Sequence, residues 1–165
     1  MAASFIPVMK IALVHRQRRR RISPAPLRKL AAWLFARARE RAPGRAWRQL
    51  TLVLTGDDEI RALNASWFGK DTVTDVISFT HPALPGETGD EGELVLNLEQ
   101  AWQEGLLRDG PARELALYLA HGCDHLTGAE DDTPTRKRAM LAREKAWTRA
   151  AEAEGLIPET LIRET

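Results

Sequence analysis

The sequence predicts a single α+β domain: a small mixed β-sheet of about four strands, several helices, and a metal-binding helix in the C-terminal half. Three observations carry that expectation. The elements read in the order strand, helix, strand, helix, strand, strand, then helices. At 165 residues and 44 % hydrophobic content, the chain suffices for one full core. The stretch HGCDHLTGAEDD, 121 to 132, holds two histidines four apart, which on a helix share one face and can share one metal ion.

MKIALVH, 9 to 15, alternates as a strand does, and the RQRRRRI that follows is too charged to be buried. Ser23 and Pro24 supply an N-cap and a first-turn proline for a helix over 24–41. QLTLVLTG, 49 to 56, reads as a buried strand, with Thr55 or Asp57 placed to cap the short helix DDEIRALNASWFG, which Gly69 closes. A β-branched strand over 74–80 stops at Pro82. The Gly-, Pro- and acid-rich segment 82 to 93 is an exposed loop, expected to be mobile, and ELVLNLE returns beside the strand in a hairpin-like way. A short helix over 98–106 breaks at Asp109-Gly110-Pro111. A longer one from Pro111 to His125 buries Ala112, Leu115, Ala116, Leu119 and Ala120, and so sinks its metal-binding end partly into the core. Thr133 and Pro134 open a last helix to about residue 154. Residues 1–8 and 156–165 are expected to be loosely ordered, the rest of 1–165 forming one domain.

The formal net charge of +1 hides an asymmetry. Residues 1 to 50 carry thirteen Lys or Arg and one acid, Glu40; the other 115 residues carry eleven bases and twenty-two acids. Such polarity fits a nucleic-acid or acidic-surface partner, or simply a solvated basic face, and makes Arg18, Arg19, Arg20 and Arg21 candidate nucleic-acid contacts. One cysteine, Cys123, excludes an internal disulfide. No apolar run reaches the ~18 residues of a membrane span, and the N-terminal order is not that of a signal peptide, so a cytoplasmic protein without a membrane partner is expected.

In H-x-x-x-H-x-x-G-x-x-D, Gly128 permits the chain to turn back after the helix and present a third ligand to His121 and His125, as a third histidine does in metzincin proteases. Spacing selects Asp131 as that ligand, with Glu130 and Asp132 as oxygen donors within the same reach. Three ligands leave a zinc ion open to water, as hydrolysis needs; a carboxylate third ligand also admits other divalent ions. The glutamate that serves H-E-x-x-H peptidases as general base is Gly122 here, which argues against peptide hydrolysis. Asp124, about 60° round the helix from His121, either touches the bound water, orients a histidine, or faces solvent. Cys123, about 200° from His121, packs in the core.

Three stretches together resemble the YbeY family of bacterial metal-dependent endoribonucleases. HGCDHLTGAED is similar to the family signature H-G-x-L-H-L-x-G-Y-D-H at His121, Gly122, His125, Leu126 and Gly128. LNASWFGKDTVTDVISF, 63 to 79, resembles its leucine-asparagine, aromatic-arginine and threonine-aspartate-valine-leucine-serine-phenylalanine block, and GELVLNLEQA, 92 to 101, the strand after it. The resemblance covers about residues 9 to 150. It implies a small α+β zinc enzyme cutting single-stranded RNA, active in 3′-end maturation of small-subunit (16S) ribosomal RNA and in ribosome quality control, with ribosomal RNA and the small subunit as partners.

Three positions depart from the pattern: Asp131 replaces the third histidine, Asp124 a leucine, and Phe68 the arginine after the aromatic. That arginine assists phosphate chemistry in the family, which leaves Lys70 as either a substitute cation or an ordinary loop lysine. Asp75 and Ser78 are placed by the family block near the cleft, or serve a local turn and the sheet. A metal-stabilised, non-catalytic RNA-binding assembly factor is the alternative function, and a hydrolase of another substrate a third.

Overall fold

The computed structural model describes residues 9–165. The elements are β1 (Lys10–His15), β2 (Arg20–Ile22), α1 (Pro24–Arg39), β3 (Trp47–Thr55), α2 (Asp57–Phe68), β4 (Val76–His81), β5 (Asp90–Asn97), α3 (Leu98–Leu106), α4 (Pro111–Leu126), α5 (Pro134–Ala153), a 3₁₀ turn (Glu159–Leu161) and β6 (Ile162–Glu164). The main sheet has four strands in the order β1-β3-β5-β4. β1 and β5 run parallel to β3, and β4 is antiparallel to β5, which makes the sheet mixed as the sequence predicts.

The strand register explains why β3 and β5 are apolar on consecutive residues. Leu52 stands beside Leu94 and Val53 beside Val95, so alternate residues face opposite sides of the sheet. Leu50, Leu52, Leu54, Leu94 and Leu96 enter the main core with α1 and α4. Val53 and Val95 enter a smaller one with Ile77 and with Ile60 of α2. The central helix is α4, which packs on α1, α3, α5 and β4. Cys123 lies fully buried on it, in the main core as expected.

Gly122 fixes how close α4 comes to the sheet. A Cβ there would stand 2.8 Å from Leu94 Cδ2 and 3.1 Å from Val76 Cγ2. Packing therefore occupies the position where H-E-x-x-H enzymes carry their glutamate, and Ser78 Oγ on β4 donates to the Gly122 carbonyl at 3.2 Å. Gly122→Ala is expected to cost about 1–3 kcal/mol through overpacking, measured by urea unfolding. Combined with Leu94→Ala, which opens the space, the two losses should be less than additive.

One terminal expectation is corrected. The C-terminal tail is not loosely attached: β6 pairs antiparallel with β2, Arg20 opposite Glu164 and Ile22 opposite Ile162. Leu156, Leu161 and Ile162 are buried, and their apolar burial holds the segment in place. Part of the arginine run is thus an edge strand. Residues 1–8 lie outside the described residues. Ser23 occupies the N-cap position of α1 but makes no cap bond; its hydroxyl donates instead to the Thr160 carbonyl at 2.7 Å. Gly56 is the N-cap of α2, neither Thr55 nor Asp57, because Thr55 Oγ1 donates to Glu59. Thr133 does cap α5, accepting from the Arg136 amide. Among the described residues no helix is long and apolar enough to cross a membrane.

Candidate metal centre

His121 and His125 project from the last turns of α4, and the ring nitrogens are already sorted. His121 Nδ1 lies 2.8 Å from Glu144 Oε1 and His125 Nδ1 lies 3.0 Å from the Ala129 carbonyl. Both partners are acceptors, so in the neutral rings this pairing puts the hydrogen on each Nδ1 and leaves each Nε2 a lone pair. The two Nε2 atoms face each other 3.2 Å apart. Nitrogens bound to one tetrahedral zinc at ~2.0–2.1 Å stand roughly 3.4 Å apart, so the pair fits a shared cation.

Gly128 has φ 100°, a conformation other residues strongly disfavour, and there the chain reverses. Asp131 arrives with Oδ2 3.7 Å from His125 Nε2, and the donor atoms of His121, His125 and Asp131 all lie within 4.8 Å of one another. The neighbouring acids are engaged elsewhere: Arg136 Nη1 binds Glu130 at 3.1 Å and Asp132 at 2.8 Å. Asp131→Ala is therefore expected to lose bound metal on dialysis, while Asp132→Ala keeps it. Elemental analysis checks this, and full occupancy in Asp131→Ala would move the third ligand elsewhere.

Glu144, on α5, was not singled out by sequence reasoning. It is only 1 % exposed, and its bond to His121 forms a carboxylate–histidine pair of the kind that fixes ring orientation and raises basicity at metal sites. Burial pushes the Glu144 carboxyl up, against the His121 bond and charge and with the help of Asp124. For His121, burial disfavours the charged form, but the Glu144 hydrogen bond and charge, with Asp75 and Asp131 nearby, outweigh it, so its pKa is raised from the ordinary 6.5. A readable signal existed. Met140, Glu144, Thr148 and Ala151 are the buried residues of α5, and an acid on such a stripe needs a partner.

Of the expectations for Asp124, the solvent-facing one does not hold. Its side chain is fully buried, accepting from Arg41 Nη1 at 2.8 Å and Arg143 Nη2 at 2.8 Å. It neither faces solvent nor lines the clefts beside the histidines. It anchors α4 to the end of α1 and to α5.

Those clefts meet at the metal centre. One, of ≈ 400 Å³, is lined by Phe68, Lys70, Ser78, His125 and Asp131 among others. The second, of ≈ 460 Å³, is lined by Asp75, His121, His125, Asp131, Lys137 and Glu144 among others. Lys70 thus reaches the cleft wall. Asp75 reaches the second cleft while its Oδ1 accepts from the Val76 amide at 2.8 Å. The arginine run lies apart: Arg18 and Arg19 border a separate cleft beside Thr55–Glu59 and Glu99, which shares no residue with these two. Arg19 pairs with Glu99 at 2.8 Å. Arg20 pairs with Glu164 and lies over the Trp102 ring at 4.5 Å. Among the described residues, Arg18 and Arg21 are exposed and make no ion pair.

The fold and site define a small α+β protein with a His-His-Asp group that could hold a metal ion. Comparison with known proteins gives the family. A family model described as Endoribonuclease YbeY matches residues 13–152. A protein of that name from Anaeromyxobacter is 40 % identical over 121 residues, 73 % of this chain and 62 % of the relative. Its Geobacter metallireducens namesake is 32 % identical over 159 residues, covering 90 % of this chain and all of the relative. The chain spans less than two thirds of the first Anaeromyxobacter relatives, 62 % and 64 %. A solution structure of a Thermotoga maritima protein shares the fold, with TM-score 0.56 at 20 % identity over 87 % of this chain and 90 % of that one. The chain belongs to the YbeY family.

Proposed function

We propose that this chain is a metal-dependent endoribonuclease acting on single-stranded RNA, one metallohydrolase domain with His121, His125 and Asp131 as its metal ligands. The observation that carries the reading is the pair of Nε2 atoms 3.2 Å apart with both Nδ1 atoms beside acceptors. The nitrogen-rich donor set suits zinc, although its one carboxylate also admits other divalent ions. A bound divalent ion supplies Lewis acidity, which eases ionisation of water near neutral pH and polarises a phosphate oxygen. Glu144 holds the His121 ring in place, and Lys70 puts a cation on the cleft wall where a phosphate would pass.

The relatives are named endoribonucleases, and the family resemblance carries the reading further, to 3′-end maturation of 16S ribosomal RNA, ribosome quality control and the small subunit as partner; we place the protein in the cytoplasm. Arg18 and Arg21 extend the RNA contact away from the metal, as far as their separate position allows. The test is cleavage of single-stranded and duplex RNA by metal-loaded protein and by His121→Ala. Wild type should cut the single strand internally and His121→Ala should not; equal turnover in both overturns the mechanism. A second reading, a non-catalytic assembly factor, is favoured by Phe68 standing where the family arginine is expected. Tight ribosomal RNA binding with no turnover under any divalent ion would decide for it.

A further inference from the structure

We propose that Phe68, supported by Trp67 and Phe79, is a base-stacking platform that holds an unpaired nucleotide beside the metal centre. This rests on the endoribonuclease reading and adds to it where the base goes.

α2 ends on two large aromatic residues that the fold leaves in solvent: Trp67 is 66 % and Phe68 53 % exposed. Neither contributes to the two buried cores. Both are held from behind by Phe79 of β4. The Phe68 and Phe79 rings lie nearly parallel, 19° apart at 6.3 Å, and Trp67 meets Phe79 edge-on at 5.4 Å. Gly69, in the left-handed conformation at φ 67°, ends the helix immediately after them. The rings are therefore pre-positioned, so a ligand stacking on them pays little to order them.

Position turns an apolar patch into a nucleotide site. Phe68 lines the same cleft as His125, Asp131 and Lys70. One cleft thus offers an aromatic side chain, a cation and candidate metal ligands, which match in turn a nucleobase, a phosphate and the scissile bond. Stacking on an aromatic face is available to any unpaired base and denied to one paired within a duplex. The platform accordingly favours single strands without sequence reading. Trp67 lies outside the cleft lining and supports the neighbouring position along the strand.

The probes are a short single-stranded oligouridylate and an abasic oligomer of equal length, which keeps the phosphates and lacks the bases. Binding is measured by fluorescence anisotropy to the full chain without added metal, so that cleavage does not enter. Phe68→Ala should weaken oligouridylate binding about tenfold and leave the abasic oligomer unchanged. Phe68→Tyr should bind as wild type, and Phe68→Leu, apolar but without a ring face, should behave like Phe68→Ala. Lys70→Ala should weaken both oligomers equally. Unchanged oligouridylate binding in Phe68→Ala overturns the platform and leaves the patch to a protein partner; equal losses for the two oligomers overturn it as well. Failure of the endoribonuclease reading is seen separately. A protein whose base-dependent binding needs Phe68 but which cuts no RNA keeps the platform and loses the catalysis, whereas His121-dependent cleavage with Phe68-independent binding does the reverse.

Discussion

Glu144→Gln weakens metal binding about 10- to 100-fold and shifts its pH profile toward acid, in a protein that stays folded. Glutamine is nearly isosteric and can still accept the His121 Nδ1 hydrogen, which spares the 2.8 Å contact. Its amide can donate toward Asp124, the neighbouring acid that raises Glu144. What disappears is the negative charge behind the imidazole, which makes Nε2 a stronger donor.

The same charge sets the direction of the pH effect. In wild type the His121 pKa is raised above 6.5. Without metal, this contributes stability that is fully present below the unfolded pKa and is lost as pH rises through the folded one. Metal needs the neutral ring, so affinity grows over that same rise. Removing the Glu144 charge lowers the His121 pKa, and proton competition ends at a lower pH. A merely structural role for Glu144 would lower the melting temperature and leave the pH midpoint of metal binding in place; titration with a chromophoric competitor for zinc separates the two.

Much of the architecture was legible because it is local. The N-terminal proline of α4, the Leu/Val strands β3 and β5, and Gly69 and Gly128 after their helices each act within a few residues, and the observed elements follow them closely. The ligand spacing was legible for the same reason, since a helical i, i+4 pair and a turn-back bring Asp131 to the histidines by local geometry alone. What was missed depends on partners distant in sequence. β2 pairs with a strand at the other end of the chain. Glu144 meets His121 only because α5 folds back along α4. Spacing alone selected Asp131 over Glu130 and Asp132, and Arg136, far enough along the chain to lie beyond that spacing, engages the other two. The arginine-rich segment misled in a similar way. Arg19, Arg20, Arg41, Arg45 and Arg48 pair with acids from the rest of the chain, so its sequence charge overstates what is free for RNA.

Asp124→Asn costs about 3 kcal/mol of stability and leaves the metal ligands in place. The fully buried carboxylate is the common partner of two guanidinium groups, with Arg143 bound through Nε as well as Nη2. Asparagine has nearly the same shape but no charge, so Arg41 and Arg143 would face each other across a buried dipole. The cost lies toward the lower end for a broken buried pair because the Arg41 and Arg143 side chains are 42 % and 24 % exposed and can turn partly to water. Arg41→Met should cost less, since Arg143 still neutralises Asp124. Replacing all three, with Asp124→Leu, Arg41→Met and Arg143→Met together, should recover most of the loss, because desolvating three charges offsets much of their mutual attraction. Urea unfolding of the series measures each step, and elemental analysis of Asp124→Asn should find the metal retained. A variant as stable as wild type would show that the Arg41–Asp124–Arg143 cluster contributes nothing net. Lost metal at unchanged stability would return Asp124 to the metal site.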